Sequence, residues 1–89
     1  MNMTQDSVSI PDFKTAEERS KWIEDHADYW TAVRFRGRGY YERREFIDRQ
    51  SAEKAARRMA NDSPGRPVMI YAVAGTHDSF VTAITPEGK

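Results

Sequence analysis

Apolar residues recur along this chain with two different periods, and the switches between them mark its elements. Residues 1–11 are largely polar and end in Ile10-Pro11, which reads as a loose tail. Thr15 then precedes Glu18 by three positions, just ahead of Trp22 and Ile23. That spacing is a capping box, in which each side chain satisfies a backbone donor at a helix start. Glu17 and Glu18 also suit the positive end of the helix dipole. The pattern predicts a short helix over 16–26, with Trp22, Ile23 and Arg19 toward the inside.

From residue 29 the period drops to two. Thr31, Val33 and Phe35 alternate with Ala32, Arg34 and Arg36, as in a half-buried strand over 29–36. Gly37-Arg38-Gly39 is a turn signal, since glycine admits the positive φ of tight hairpins. A second strand returns over 40–47. Its register is open, because two-residue and three-residue loops put opposite faces of the second strand over the first. Ser51 or Asp48 caps the next helix, where Ala52, Ala55, Ala56, Met59 and Ala60 recur at helical spacing. Glu53 and Arg57 are spaced as an i,i+4 ion pair. The run from Asn61 to Gly65 stops this helix.

Residues 68–73 are apolar at both parities, apart from the Tyr71 hydroxyl. This marks an inner strand covered on both sides, or covered on one and shielded on the other. Gly75-Thr76-His77-Asp78 reads as a turn and 80–85 as the last strand. The order is helix, strand, strand, helix, strand, strand. The expected fold is α+β: a four-stranded, mainly antiparallel sheet with the alanine-striped helix on one face. The first helix covers an edge or part of the other face. Residues 1–12 form a tail, 13–85 a single domain and 86–89 a second tail.

Composition narrows the class. With 89 residues the chain is one domain with a thin core. The absence of cysteine rules out disulfides, thiolate metal ligands and a cysteine nucleophile, and fits a reducing compartment. No apolar run is long enough to span a membrane, and the N-terminus lacks a secretory pattern. A cytoplasmic location is expected. The net charge is zero, yet residues 1–30 carry −4, residues 31–66 carry +5 and residues 67–89 carry −1. Such asymmetry points to an electrostatic surface, or to a first helix that folds back and neutralises the sheet.

The basic excess sits in the first hairpin, with Arg34, Arg36, Arg38, Tyr40, Tyr41, Arg43 and Arg44. Arginine offers a planar, permanently charged fork for phosphates or carboxylates. Tyrosines among arginines on a strand suit base stacking. The alternative is a solvated hairpin whose arginines pair with Glu42 and Glu45 across the strands. Arg57 and Arg58, with Lys54, either extend the patch or form the wet face of the helix. Catalysis is not expected. There is no Gly-x-Ser-x-Gly elbow, no phosphate-binding loop and no dinucleotide fingerprint. His26 lies among Glu24, Asp25 and Asp28 but has no second ligand cluster, so no metal or cofactor is expected.

Residues 29–36, Gly37-Arg38-Gly39, 41–46 and 51–55 together resemble the arm-type DNA-binding domain of phage integrases. That family lays an Arg-rich antiparallel sheet on DNA ahead of a helix. The whole layout also resembles small phage-encoded inhibitors, including anti-CRISPR proteins and a phage inhibitor of host RNA polymerase. The inhibitor resemblance implies a rigid body that binds a host protein by charge and shape. The expected function is therefore non-catalytic binding of another macromolecule through the hairpin. A host protein is the first partner, as the target of a phage or mobile-element inhibitor or adaptor. Nucleic acid bound by the same hairpin is the alternative.

Overall fold

A computed structural model describes residues 10–62 and 65–86. Its elements are α1 (Ala16–Asp25), β1 (Tyr29–Gly37), β2 (Tyr40–Phe46), α2 (Arg49–Asn61), β3 (Val68–Ala74) and β4 (His77–Ile84). The four strands form one antiparallel sheet in the order β2-β1-β3-β4. The expected α+β architecture, with a packed helix and a preceding N-terminal helix, is the one observed. Most of the first predicted tail and nearly all of the second lie outside the described residues.

Both helices start as their sequences dictate. The Thr15 hydroxyl accepts from the Glu18 amide at 3.1 Å. The Glu18 carboxylate accepts from Lys14 N–H at 3.0 Å, one residue upstream of the usual reciprocal bond. At α2 the cap is Asp48, whose Oδ1 accepts from the Ser51 amide at 2.7 Å. That bond holds the Asp48 carboxyl below its ordinary range. Ser51, the other candidate cap, is already inside the helix. The expected Glu53–Arg57 pair does not form. Glu53 instead accepts from Arg49 at 2.7 Å, and Arg49 also reaches Glu24 of α1 at 3.7 Å. Arg49 thereby ties the two helices together.

Strand alternation fixes which face is covered. Ala32 of β1 opposes Ile70 of β3, and Trp30 opposes Ala72. Ala32, Val68 and Ile70 pack with Ala52, Ala56, Met59 and Ala60 of α2. The small side chains let α2 lie close on the strands, and each fully buried Val or Ile contributes about 2 kcal/mol by leaving water. Ala72 and Ala74 continue the same face of β3 and pack with Ile23 of α1, flanked by Ile10, Trp22 and Ala27. Ser79 of β4, opposite Ala72, bonds Ser20 of α1 at 2.8 Å. Both helices therefore lie on one face: α2 over β1 and β3, α1 over β3 and the edge strand β4. Among the described residues no helix crosses to the other face, which the sequence reading had allowed. The short α1–β1 connection explains this. Asp28 N–H bonds the Val73 carbonyl at 2.8 Å, and its carboxylate accepts from Gly75 N–H at 2.8 Å. The chain is pinned to β3 before it can cross over.

Trp22, Trp30 and Phe13 are half-buried and cap the core. Trp22 stacks on His26 with ring centroids 4.2 Å apart and meets Phe13 at 6.1 Å. The strand β4 begins three residues earlier than its sequence pattern predicts. Ala74 pairs with His77, so the connection needs only Gly75-Thr76, with Gly75 at φ +62°. Glycine at the first central position is what such a two-residue hairpin favours.

Candidate binding site

The β1–β2 hairpin closes through Arg38-Gly39, with Gly37 paired to Tyr40 and a bulge between Phe35 and Gly37. The two-residue loop thus settles the register, and the bulge absorbs the extra residue. Arg38 and Gly39 have φ of +56° and +81°. Positive φ at both central residues is the mark of a type I′ turn, where Asn or Gly is usual. Arg38 is the single non-glycine residue with positive φ among the described residues. A β-carbon in that region costs about 1 kcal/mol. The Arg38 side chain is exposed and meets no carboxylate among the described residues.

Behind the tip, on the helix side, one carboxylate gathers three guanidinium groups. Glu42 Oε1 accepts from Arg34 Nη2 at 2.7 Å and from Arg36 Nη1 at 3.1 Å. Its Oε2 accepts from Arg44 Nε at 3.1 Å and Nη2 at 2.8 Å. Arg34 first, then Arg44 and Arg36, hold the Glu42 carboxyl at about 2, against an ordinary 4.5, despite the opposing effect of burial. Arg34 is 3% exposed. Its Nη1 donates to the Met59 carbonyl in the last turn of α2. The negative end of that helix favours the cation. Arg34 is therefore an internal clasp between hairpin and helix rather than a surface contact.

The other sequence-predicted residues divide by face. Arg36, Tyr40 and Arg44 lie on the helix side, and Tyr40 is 70% exposed. Arg57 and Arg58 are exposed on the outer side of α2 and form no ion pair with a described residue. Arg58 immediately precedes Met59, so the Arg34 clasp brings it to the hairpin end. Tyr41 and Arg43 point the opposite way, since alternate strand residues face opposite sides. Arg43 bonds Glu45 at 2.6 Å on its own strand. Glu45, and then the Tyr29 phenol, raise the Arg43 guanidinium above its ordinary range. The predicted cluster is thus two surfaces: a basic end on the helix side, and part of the uncovered sheet face.

That uncovered face carries residues the sequence reading did not assign to a site. Phe35 meets Tyr41 at 5.2 Å, and the Arg66 guanidinium lies 5.6 Å over the Phe35 ring. Tyr71 of β3 meets Phe80 of β4 edge-on at 5.8 Å. Val33 and Met69 lie between these aromatic pairs as register partners. Tyr41 and Phe80 are 64% and 51% exposed. The signal for this face was present in the two-sided apolar pattern of 68–73. It became a site only when both helices took the same side.

Among the described residues no group of three His, Asp or Glu side chains converges as metal ligands. His26 is occupied by Trp22, whose carbonyl lies 2.8 Å from Nδ1. The depressions found beside α1 are shallow surface clefts, one lined by Phe13, Glu18, Lys21, Trp22 and Asp25. Among the described residues no helix is long and apolar enough to cross a membrane. Comparison with protein-family models, curated proteins and solved structures finds no match for the chain. Its class rests on its own features: a two-layer α+β domain with a basic hairpin end and one bare sheet face.

Proposed function

We propose that this chain is a non-catalytic binding module that grips an acidic surface of another protein with its hairpin end. Arg38 carries this reading. An unpaired arginine is held in a strained turn at the tip of a hairpin that Glu42 locks from behind. Local strain kept at an exposed tip favours a contact role over a structural one. Arg36 and exposed Tyr40 flank that tip, Arg44 stands further along β2 opposite Ala32, and Arg57 and Arg58 are exposed on the outer side of α2. Arginine and tyrosine are the residue types that dominate protein interfaces. The resemblance to small phage inhibitors gives the reading its sharpest form, an inhibitor or adaptor of a host protein.

An affinity pull-down from bacterial lysate, with and without nuclease, tests the reading. A stoichiometric protein that survives nuclease is the expected result. Arg36→Glu combined with Arg38→Glu should abolish that capture in a chain that still folds by circular dichroism, with a lowered melting temperature because Arg36 no longer pairs with Glu42. Retention of the partner by the folded double variant would remove the hairpin from the proposal. Tyr40 among arginines favours a second reading, in which the hairpin binds nucleic acid. Under that reading retained proteins are lost on nuclease treatment, and affinity falls steeply with salt through counterion release.

A further inference from the structure

We infer that the uncovered sheet face is the seat of a second copy of this chain, packed face to face about a two-fold axis. The inference concerns the side of the sheet opposite the helices and is independent of the hairpin reading. Three observations lead to it.

The first is composition. The middle of the face is apolar, with half-buried Val33 beside Met69 and Tyr71 in the next row beside Thr31, which is itself buried. Exposed Tyr41 and Phe80 stand at its margins. Aromatic residues, methionine and arginine are the types enriched where protein surfaces meet. Exposed apolar groups gathered on one face mark an interface rather than chance exposure.

The second is charge. The face bears no free surplus for a polyanion. Arg43 is answered by Glu45, and Arg66 lies on the Phe35 ring while Asp78 sits opposite Val73. The cations lie toward the β1–β2 turn and the acids toward the β3–β4 turn. An axis running across the strands, between the Val33 and Thr31 rows, reverses this direction in the second copy. Arg43 then stands over Glu45 of the second copy, and Glu45 over its Arg43. Met69 falls over Tyr71 of the second copy and Ala83 over its Phe80, a small residue against a large one. Each surface meets its own complement, as a two-fold interface requires. The sheets would pack as aligned layers about 10 Å apart.

The third is area. Four strands at about 4.8 Å spacing and four rows at about 6.8 Å give roughly 500 Å² per copy. The pair buries about 1,000 Å², at the lower edge of specific interfaces. The expected dimer is reversible, dissociating in roughly the micromolar range.

Sedimentation equilibrium over roughly 1–500 µM protein tests the inference. The wild-type chain should pass from monomer to dimer and stop there. Phe80→Lys, at an exposed edge position, should weaken association at least tenfold with an unchanged circular dichroism spectrum. Arg43→Glu alone should weaken it by opposing Glu45 of the second copy, and adding Glu45→Arg should restore it. The double hairpin variant, Arg36→Glu with Arg38→Glu, should still dimerise, so failure of the hairpin reading leaves this result unaffected. A monomer at every concentration, association that continues past the dimer, or a Phe80→Lys chain that dimerises normally would each overturn the inference. So would quenching of tyrosine fluorescence by a single-stranded oligonucleotide in a chain that never self-associates.

Discussion

Glu42 shows how much one side chain can decide. It neutralises Arg34, Arg36 and Arg44 together, and among the described residues it alone supplies a carboxylate to the buried Arg34. Its carboxyl is depressed to about 2 from 4.5. The folded state binds this proton more weakly than the unfolded chain, so the stabilisation is complete above about pH 4.5 and is lost as pH falls toward 2. Glu42→Gln should flatten the stability profile in that window. At neutral pH it should cost about 2 kcal/mol, less than a fully buried pair because Arg36 and Arg44 are half in water. Urea denaturation at pH 7 and through the range 2–5 measures both effects, and an unaltered acid transition would contradict the assigned role. The sequence offered Arg34 as a surface cation. Its burial depends on the Met59 carbonyl, 25 residues away, and no local pattern encodes such a partner. The pairing of hairpin arginines with Glu42, by contrast, was readable as cross-strand charge.

At the scale of elements, local chemistry was legible and distances between elements were not. Both helix starts, the alanine stripe and the first three strands follow from capping and period. The early start of β4 was obscured because His77-Asp78 looks like turn sequence, although a two-residue loop leaves them free to pair. The β1–β2 turn was recognised from its glycines, but the strain falls on the arginine between them. Arg38→Gly should remove that strain and raise stability by about 1 kcal/mol, read as a higher urea midpoint. The same variant should bind the captured partner more weakly, since the tip guanidinium is gone. A tighter complex, or a less stable domain, would show that Arg38 is tolerated rather than used.

For the whole molecule, the deciding fact is that both helices share one face. The sequence contained the two-sided apolar pattern of β3 but not the side chosen by α1, which depends on Asp28 anchoring to Val73 and Gly75. The result is a body with a basic end and a bare apolar sheet. If two copies close over that sheet, folding and association are linked by mass action. The melting temperature should then rise with protein concentration in scanning calorimetry, and the rise should vanish in Phe80→Lys. A concentration-independent transition in the wild type would separate stability from assembly.

The strand order carries a kinetic consequence as well. β1–β2 and β3–β4 are each hairpins with two-residue loops, able to form within microseconds. Between them runs one seam, the pairing of β1 with β3, which joins Arg34 to Val68 and Tyr29 to Val73 across a long span of chain. That seam joins strands separated in sequence by both β2 and α2. The entropy of closing so long a loop falls on this single event, and the helix that bridges it, α2, contacts both sides. Folding speed is thus governed in the middle of the sheet, at Ala32 against Ile70, and the two turns, already formed when that seam closes, act on the folding rate rather than on the rate at which the molecule comes apart.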